Sequence, residues 1–173
     1  MESDEELMRA VAHGDERALA SLVERYAARI HAFLTRMTGD RDDADDLLQD
    51  TWVRVARGAR GFDAARQLRP WLYGIAANLA RDLQRRRAVR LRAAREGNLA
   101  ANEPGVTFRP VERIDMRERL ARLPERLREV LVLRYFDGLD EAEMAVALGI
   151  PRGTVKSRLH GALRELRQGW EAT

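Results

Sequence analysis

The sequence predicts an all-α chain built as two small helical domains joined by a flexible linker. Three observations carry this expectation. Apolar residues recur at spacings of three and four through most of the chain, and no stretch keeps the strict alternation of a half-buried strand. Glycine followed by aspartate, as in Gly14-Asp15 and Gly39-Asp40, supplies a left-handed stop for one helix and a side-chain cap for the next. Residues 91–111, LRAAREGNLAANEPGVTFRPV, lose the helical period and carry Gly97, Pro104, Gly105 and Pro110.

Taken in order, the pattern predicts helices at about 3–12, 16–38, 41–58 and 68–90 in a first domain, 1–90. A linker at 91–111 follows, and a second domain, 112–173, holds helices at about 112–121, 124–137, 140–148 and 152–168. Gly14-Asp15 divides the first pair and Gly39-Asp40 the second, while Gly61-Phe62-Asp63 interrupts the chain before the fourth helix. Gly138 and Gly149-Ile150-Pro151 punctuate the second domain. The two domains, of about 90 and 60 residues, each lie in the size range that folds around one core.

Composition removes several function classes. The chain has 173 residues, 45% hydrophobic and 34% charged, with no apolar run approaching the length of a membrane span, so no membrane insertion is expected. The opening MESDEELMRA is acidic where a signal peptide is basic and then apolar, and the expected location is the cytoplasm. Without cysteine there is no disulfide framework, thiolate metal site or cysteine nucleophile. His13, His31 and His160 are too scattered to suggest a metal site. No glycine-rich phosphate loop or nucleophile–base pair appears, so neither a cofactor nor an enzymatic activity is expected.

Charge is segregated. Residues 1–50 hold 13 acidic and 6 basic side chains, residues 51–100 hold 3 and 12, and residues 101–173 hold 12 and 13. All the basic residues but Lys156 are arginine, so position rather than abundance must carry any inference.

In the second domain, Asp140 caps a helix with Glu143 reaching back to it, and Leu139 can staple onto Met144. Gly149 ends that helix, and Pro151 opens the next, where a missing N–H costs nothing. The last helix places Val155, Leu159, Ala162 and Leu166 on one stripe and Arg152, Thr154, Lys156, Ser157, His160 and Arg164 on the other. Ala145, Gly149 and Val155 fall where a helix-turn-helix needs a small residue at the crossing, a turn glycine and an apolar residue beneath the second helix. A solvated basic helix in any helical hairpin gives part of this pattern. The helix-turn-helix reading puts the N-terminal turn of the last helix at the base edges of a major groove, with arginines at phosphates.

The segment GDRDDADDLLQDTWVRVAR, 39–57, leaves Leu47, Leu48, Trp52, Val53 and Val55 for packing and Asp42, Asp43, Asp46, Gln49 and Asp50 on wet faces. A calcium loop starting at Asp40 or Asp43 lacks the required glycine and glutamate positions, and a magnesium nuclease needs carboxylates converging from separate elements. A solvated face or a docking face for a basic partner remains. In GFDAARQLRPWLYGIAANLARDLQRRR, 61–87, Trp71 and Tyr73 precede a helix carrying Arg81, Arg85, Arg86 and Arg87, basic residues beside aromatics as single-stranded DNA binding uses, although Trp71, Leu72, Ile75 and Leu79 also fit a core stripe. Trp71 is expected mainly in the core, with the 58–69 loop making more of the base contact.

DADDLLQDTWVRV, RPWLYGIAANLARD and LPERLREVLVLRYFDGL…ALGIPRGTVKSRLHGALREL together resemble the two domains of extracytoplasmic-function (ECF) bacterial sigma factors, over about 20–90 and 112–168. The resemblance implies a transcription-initiation factor that binds core RNA polymerase and recognises and melts promoters. It implies that Asp46, Gln49 and Asp50 face the β′ clamp helices, and that the second domain meets the β flap. Phe62, Arg66, Arg69, Asn78 and Arg81 become candidates for the −10 element, and Arg152, Thr154, Lys156, Ser157, Arg158 and Arg164 for the −35 element. An anti-sigma factor is implied as a further partner. The chain departs from the family pattern at Gly74 and Ala77, where many members carry arginine, at Gly161 inside the last helix, and at Glu141, where an aromatic is common. A response-regulator activator shares the helix-turn-helix, but its receiver domain needs alternating strands that residues 1–90 do not show.

Overall fold

The computed structural model describes residues 2–97 and 116–171, and among these it contains α-helices and no strand. In the first unit, α1 spans Asp4–Ala12, α2 Glu16–Thr38, α3 Arg41–Gly58 and α4 Leu68–Gly97, with a single 3-10 turn at Ala59–Gly61. The second unit holds α5 (Met116–Arg122), α6 (Glu125–Leu131) continuing into a π-helical turn at Val132–Phe136, α7 (Glu141–Leu148) and α8 (Arg152–Glu171).

The helix boundaries follow from caps. The Ser3 hydroxyl accepts from the Glu6 N–H while the Glu6 carboxylate accepts from the Ser3 N–H at 2.7 Å, a reciprocal box that starts α1. Asp15 and Asp40 cap α2 and α3, and Gly39 between them takes φ 74°, which ends α2 where an L-residue would be strained. Asp140 accepts from the N–H groups of Ala142 and Glu143 at 2.8 Å, and Glu143 returns the bond to the Asp140 N–H, so the box expected from sequence forms. Leu139 and Met144, the expected staple, are both fully buried. The start of α4 is served from a distant element: Glu5 of α1 accepts the Leu68 N–H at 3.2 Å, which ties the fourth helix to the first.

In two places the fold departs from the sequence reading. Helix α4 does not stop at Arg90 but continues to Gly97, so residues 91–97 of the expected linker are helical, while 98–111 lie outside the described residues. The added turns are exposed and lack an apolar stripe, yet arginine, alanine, leucine and glutamate are all strong helix formers, and propensity holds the helix where packing does not. The expected helix at 124–137 is α-helical only to Leu131. Val130, Leu131, Val132 and Leu133 are all at most 2% exposed, because α6 and its π turn meet α8 as well as α2, and a four-residue run cannot be covered from one side.

The buried side chains form one continuous core through both units. Helices α1, α2 and α3 pack around one side of α4, and α7 packs on another; α5, α6 and the π turn rest on α2. At the centre, Phe33 and Tyr73 meet edge to face with centroids 5.6 Å apart.

Gly161, in the interior of α8, is a removable weakness. A Cβ there would meet only Leu127 Cδ2, at an ordinary 3.7 Å. Gly161→Ala is therefore expected to stabilise the protein by about 1 kcal/mol through helix propensity. Urea unfolding checks this: the midpoint rises with unchanged slope.

Candidate nucleic-acid and partner interfaces

The acidic row lies on the outer face of α3. Asp46, Gln49 and Asp50 are exposed, whereas Leu47 and Val55 are buried and Leu48 and Trp52 are partly so. Thr51 is fully buried, satisfied by donating its hydroxyl to the Leu47 carbonyl at 2.7 Å. Val53, expected in the packing, is instead 45% exposed. It falls one to two turns beyond Asp46, Gln49 and Asp50, so the stripe reads as carboxylates and an amide ending in an aliphatic side chain. Asp43, expected on a wet face, is ion-paired with Arg87 of α4 and helps hold α3 in place. Among the described residues no group of carboxylates and histidines has the geometry to hold a metal ion.

The residues expected at the −10 element are not presented alike. Phe62 is half-buried, its ring packed on Trp71 with centroids 5.1 Å apart, and both rings rest against the core as expected for Trp71. Arg66 is exposed and loosely paired with Asp63. Asn78 is exposed and accepts from Arg81 Nη1 at 3.1 Å. Arg69 and Arg81 face the second unit. Arg69 donates to the Asp137 carbonyl and to Glu143, and Arg81 Nε donates to Glu129 Oε1 at 2.8 Å. Glu129 is 1% exposed, and that burial raises its pKa while the Arg81 charge opposes the rise. An acid inside the apolar run LREVLVL was the signal in the sequence that a buried cation would come to meet it. Beyond these contacts, Arg85, Arg86, Arg90, Arg92 and Arg95 are exposed along the outer half of α4.

On α8, Val155 and Ala162 are fully buried and Leu159 and Leu166 pack against the core, so the predicted apolar stripe forms. Arg152, Lys156, Ser157 and Arg164 are exposed and Thr154 is partly so. Arg158 differs from its neighbours: it is half-buried, and its charge works against the raised pKa of the buried Glu129. The exposed Lys156 lies 3.7 Å from the half-buried Glu141, a weak ion pair. Glu141 of α7 thus faces α8.

Residues 22–90 match the family model for sigma-70 region 2, and residues 113–166 match that for sigma-70 region 4. The chain is 31% identical to the RNA polymerase sigma factor NccH of Alcaligenes xylosoxydans xylosoxydans, over 94% of this chain and 92% of that protein. It is 30% identical to the ECF RNA polymerase sigma factor SigW of Bacillus subtilis, over 93% of each. Among solved structures, CnrH in complex with the cytosolic domain of CnrY superposes with a TM-score of 0.76 at 30% identity, covering 99% of both chains. The chain belongs to the extracytoplasmic-function group of sigma-70 factors, alternative sigma factors that direct promoter recognition in transcription initiation. Sigma factors are DNA-binding regulators rather than enzymes. No helix among the described residues is long and apolar enough to cross a membrane.

The junction between the units contains a titrating group. Burial raises the Asp137 carboxyl from 3.8 to about 6, against the lowering effects of the Tyr73 hydroxyl and the Arg36, Arg69 and Arg29 charges from α4 and α2. Glu143 of α7 shares Arg69 with it. Because the folded pKa is the higher one, folding favours the protonated acid; this stabilisation is complete below about pH 4 and is lost as pH rises through about 6. The parent is expected to gain stability relative to Asp137→Asn as pH falls from 7 to 4, and thermal melts across that range measure the difference.

Proposed function

We propose that the two outward surfaces divide the work of initiation. The α3 stripe of Asp46, Gln49 and Asp50 docks the basic clamp helices of the β′ subunit of core RNA polymerase, and Val53 adds an apolar contact at its edge. The 58–69 loop and α4, through Phe62, Arg66, Arg69, Asn78 and Arg81, take the −10 strand. Helix α8, through Arg152, Thr154, Lys156, Ser157 and Arg158 of its first two turns and Arg164 beyond them, reads the −35 duplex while the second unit meets the β flap. The protein works in the cytoplasm, carries out no catalysis of its own and needs no cofactor. An anti-sigma factor holds it inactive, a reading supported by the likeness to CnrH, which was solved with CnrY bound.

The observation that carries this reading is the separation of charge onto different helices. Asp46 and Asp50 of α3 are exposed, and so are Arg152, Lys156 and Arg164 of α8, yet neither set is consumed by pairing with the other. Carboxylates on the docking face repel phosphate until a partner covers them, so the free protein should bind promoter DNA weakly.

A double dissociation tests the assignment. Asp46→Lys with Asp50→Lys is expected to abolish assembly with core polymerase through like-charge repulsion and leave binding of −35 duplex DNA unchanged. Arg152→Ala with Lys156→Ala is expected to do the reverse, weakening duplex binding and lowering its salt slope by about one unit for each phosphate no longer neutralised. Co-purification with core polymerase and run-off transcription on a promoter library read both. Normal assembly by the first variant, or parental transcription from a −35-dependent promoter by the second, would overturn the residue assignment.

A further inference from the structure

We propose that the groove where the α1–α2 turn meets the end of α3 is a base-reading site: it takes one guanine nucleotide of single-stranded DNA, with the phosphate at Arg57 and Arg60 and the base edge at Glu16. The proposal rests on the reading of the 58–69 segment as a contact for melted promoter DNA. To that reading it adds a second element, the start of α2, and a base preference.

The groove has a volume of about 560 Å³, within the range of small-molecule sites and ample for one nucleotide. Its apolar part comes from Val11 at the end of α1, Leu19 of α2 and Ala56 of α3. Val11 is buried and Leu19 packs partly on the core, so this wall is fixed by side chains that also hold α1 against α2. Gly14, which makes the turn at φ 90°, has nothing within 4 Å of where a Cβ would stand, so the turn leaves the groove clear on that side.

The rim is charged with both signs. Arg57 of the last turn of α3 and Arg60 of the 3-10 turn line it, together with Asp15 and Glu16 at the start of α2. Asp15 is already committed, because its Oδ1 accepts from the N–H groups of Arg17 and Ala18 as the helix cap. Arg57, Arg60 and Glu16 are exposed, and among the described residues their side chains have no hydrogen-bond or ion-pair partner, although opposite charges line one groove. Elsewhere exposed arginines take a neighbouring acid, as Arg66 does with Asp63 and Arg85 with Asp82. Three charges around this groove are therefore available to a ligand.

A ligand that satisfies all three carries negative charge at one end, N–H donors at the other and a flat apolar body between them. Two guanidinium groups suit a phosphate, which Glu16 repels, so the mixed rim also fixes which end of the ligand lies where. Of the four DNA bases only guanine presents two adjacent N–H donors, at N1 and N2, to match the two oxygens of a carboxylate. Adenine and cytosine set an acceptor nitrogen beside their amino group, and thymine flanks its one N–H with carbonyls. Base pairing occupies these edges in a duplex, so the contact reads only an unpaired base. Arg60 is two residues from Phe62, within about 7 Å along the chain, so a strand held at Phe62 and Arg66 brings a neighbouring nucleotide to the groove. Among the described residues none of the second unit lines it, and it stays open while the two units are packed together.

The test uses the full chain and 12-nucleotide oligothymidylates carrying one central dG, dA or dC, with binding read by fluorescence anisotropy at low salt. The dG strand is expected to bind about tenfold more tightly than the dA or dC strand, the discrimination of one bidentate base contact. Glu16→Gln, which keeps the size of the side chain and removes its charge, should erase that preference without weakening binding of plain oligothymidylate. Arg57→Ala with Arg60→Ala should weaken all the strands together and lower the salt slope. Equal binding of the three strands by the parent, no binding of any, or a guanine preference retained by Glu16→Gln would overturn the proposal. Displacement of the dG strand by an equimolar amount of free GMP would assign the groove to a free nucleotide and overturn the strand reading as well. Run-off transcription by the parent with core polymerase separates the two levels: its absence would sink the proposed function itself, whereas normal transcription with any overturning result sinks only the guanine site.

Discussion

Tyr73 is the side chain on which both halves of this molecule depend. It is fully buried, its ring set edge-on to Phe33 of the first unit and its hydroxyl donated to Asp137 of the second. Burial and the adjacent carboxylate push the Tyr73 pKa up, so the hydroxyl stays protonated and remains a donor throughout the working range of pH. An aromatic body in an apolar core with one polar tip can join two units only if the tip finds a partner, since an unpaired buried hydroxyl costs roughly 1–3 kcal/mol. The carboxylate that meets it is itself raised toward neutrality by the same burial. The junction is thus held by groups whose polarity is balanced locally, with arginines approaching from α2 and α4.

Most of the helix framework was legible because it is set by local chemistry. Asp15, Asp40, Asp140 and Pro151, with Gly39 and Gly149, fix ends that depend on a cap or a positive φ within a few residues, and these ends formed where the pattern put them. The surfaces were legible for the same reason: an amphipathic helix declares its wet face, and the α8 stripe of Val155, Leu159, Ala162 and Leu166 could bury only one way. What escaped the sequence is what two distant segments decide together. Val53 looked like a core residue by type, yet it stands exposed on α3, with no helix of the described residues covering it. Arg81 and Glu129, or Arg87 and Asp43, are dozens of residues apart, and nothing in either segment names its partner. The helical extension to Gly97 failed in the opposite sense, because loss of apolar period reports loss of packing and not loss of helix.

Two mid-helix glycines show how context turns one residue type to different ends. Each forfeits about 1 kcal/mol of helix stability relative to alanine. At Gly161 the space beside the backbone would accept a methyl group at an ordinary distance, so the loss has no packing return. At Gly74 the space is already occupied by the backbone of α7, and the loss is offset by a close approach between helices that a side chain would forbid. Only the second has a structural consequence across the two units.

The near-absence of lysine acquires a physical sense from the same contacts. Arg128 reaches the carbonyls of Met37, Ala121 and Leu123 at once, closing the C-terminal turns of α2 and α5 together, and Arg69 bridges a carbonyl and a carboxylate. A planar fork with five donors can serve several fixed acceptors from one half-buried position, whereas an ammonium is more strongly hydrated and loses more on leaving water. Burial lowers the Arg128 pKa, but from so high a starting value that a guanidinium keeps its charge where a lysine would be far nearer to losing it. Arginines that look from the sequence like a uniform basic tract therefore divide into two populations. Arg69 and Arg81 of the inner half of α4 and Arg128 of α6 are structural donors committed to carbonyls and acids, and those at Arg85, Arg86, Arg90, Arg92 and Arg95 stand clear of the core. On the function proposed above, the second population supplies most of the field that would steer nucleic acid, while the first holds the two units together.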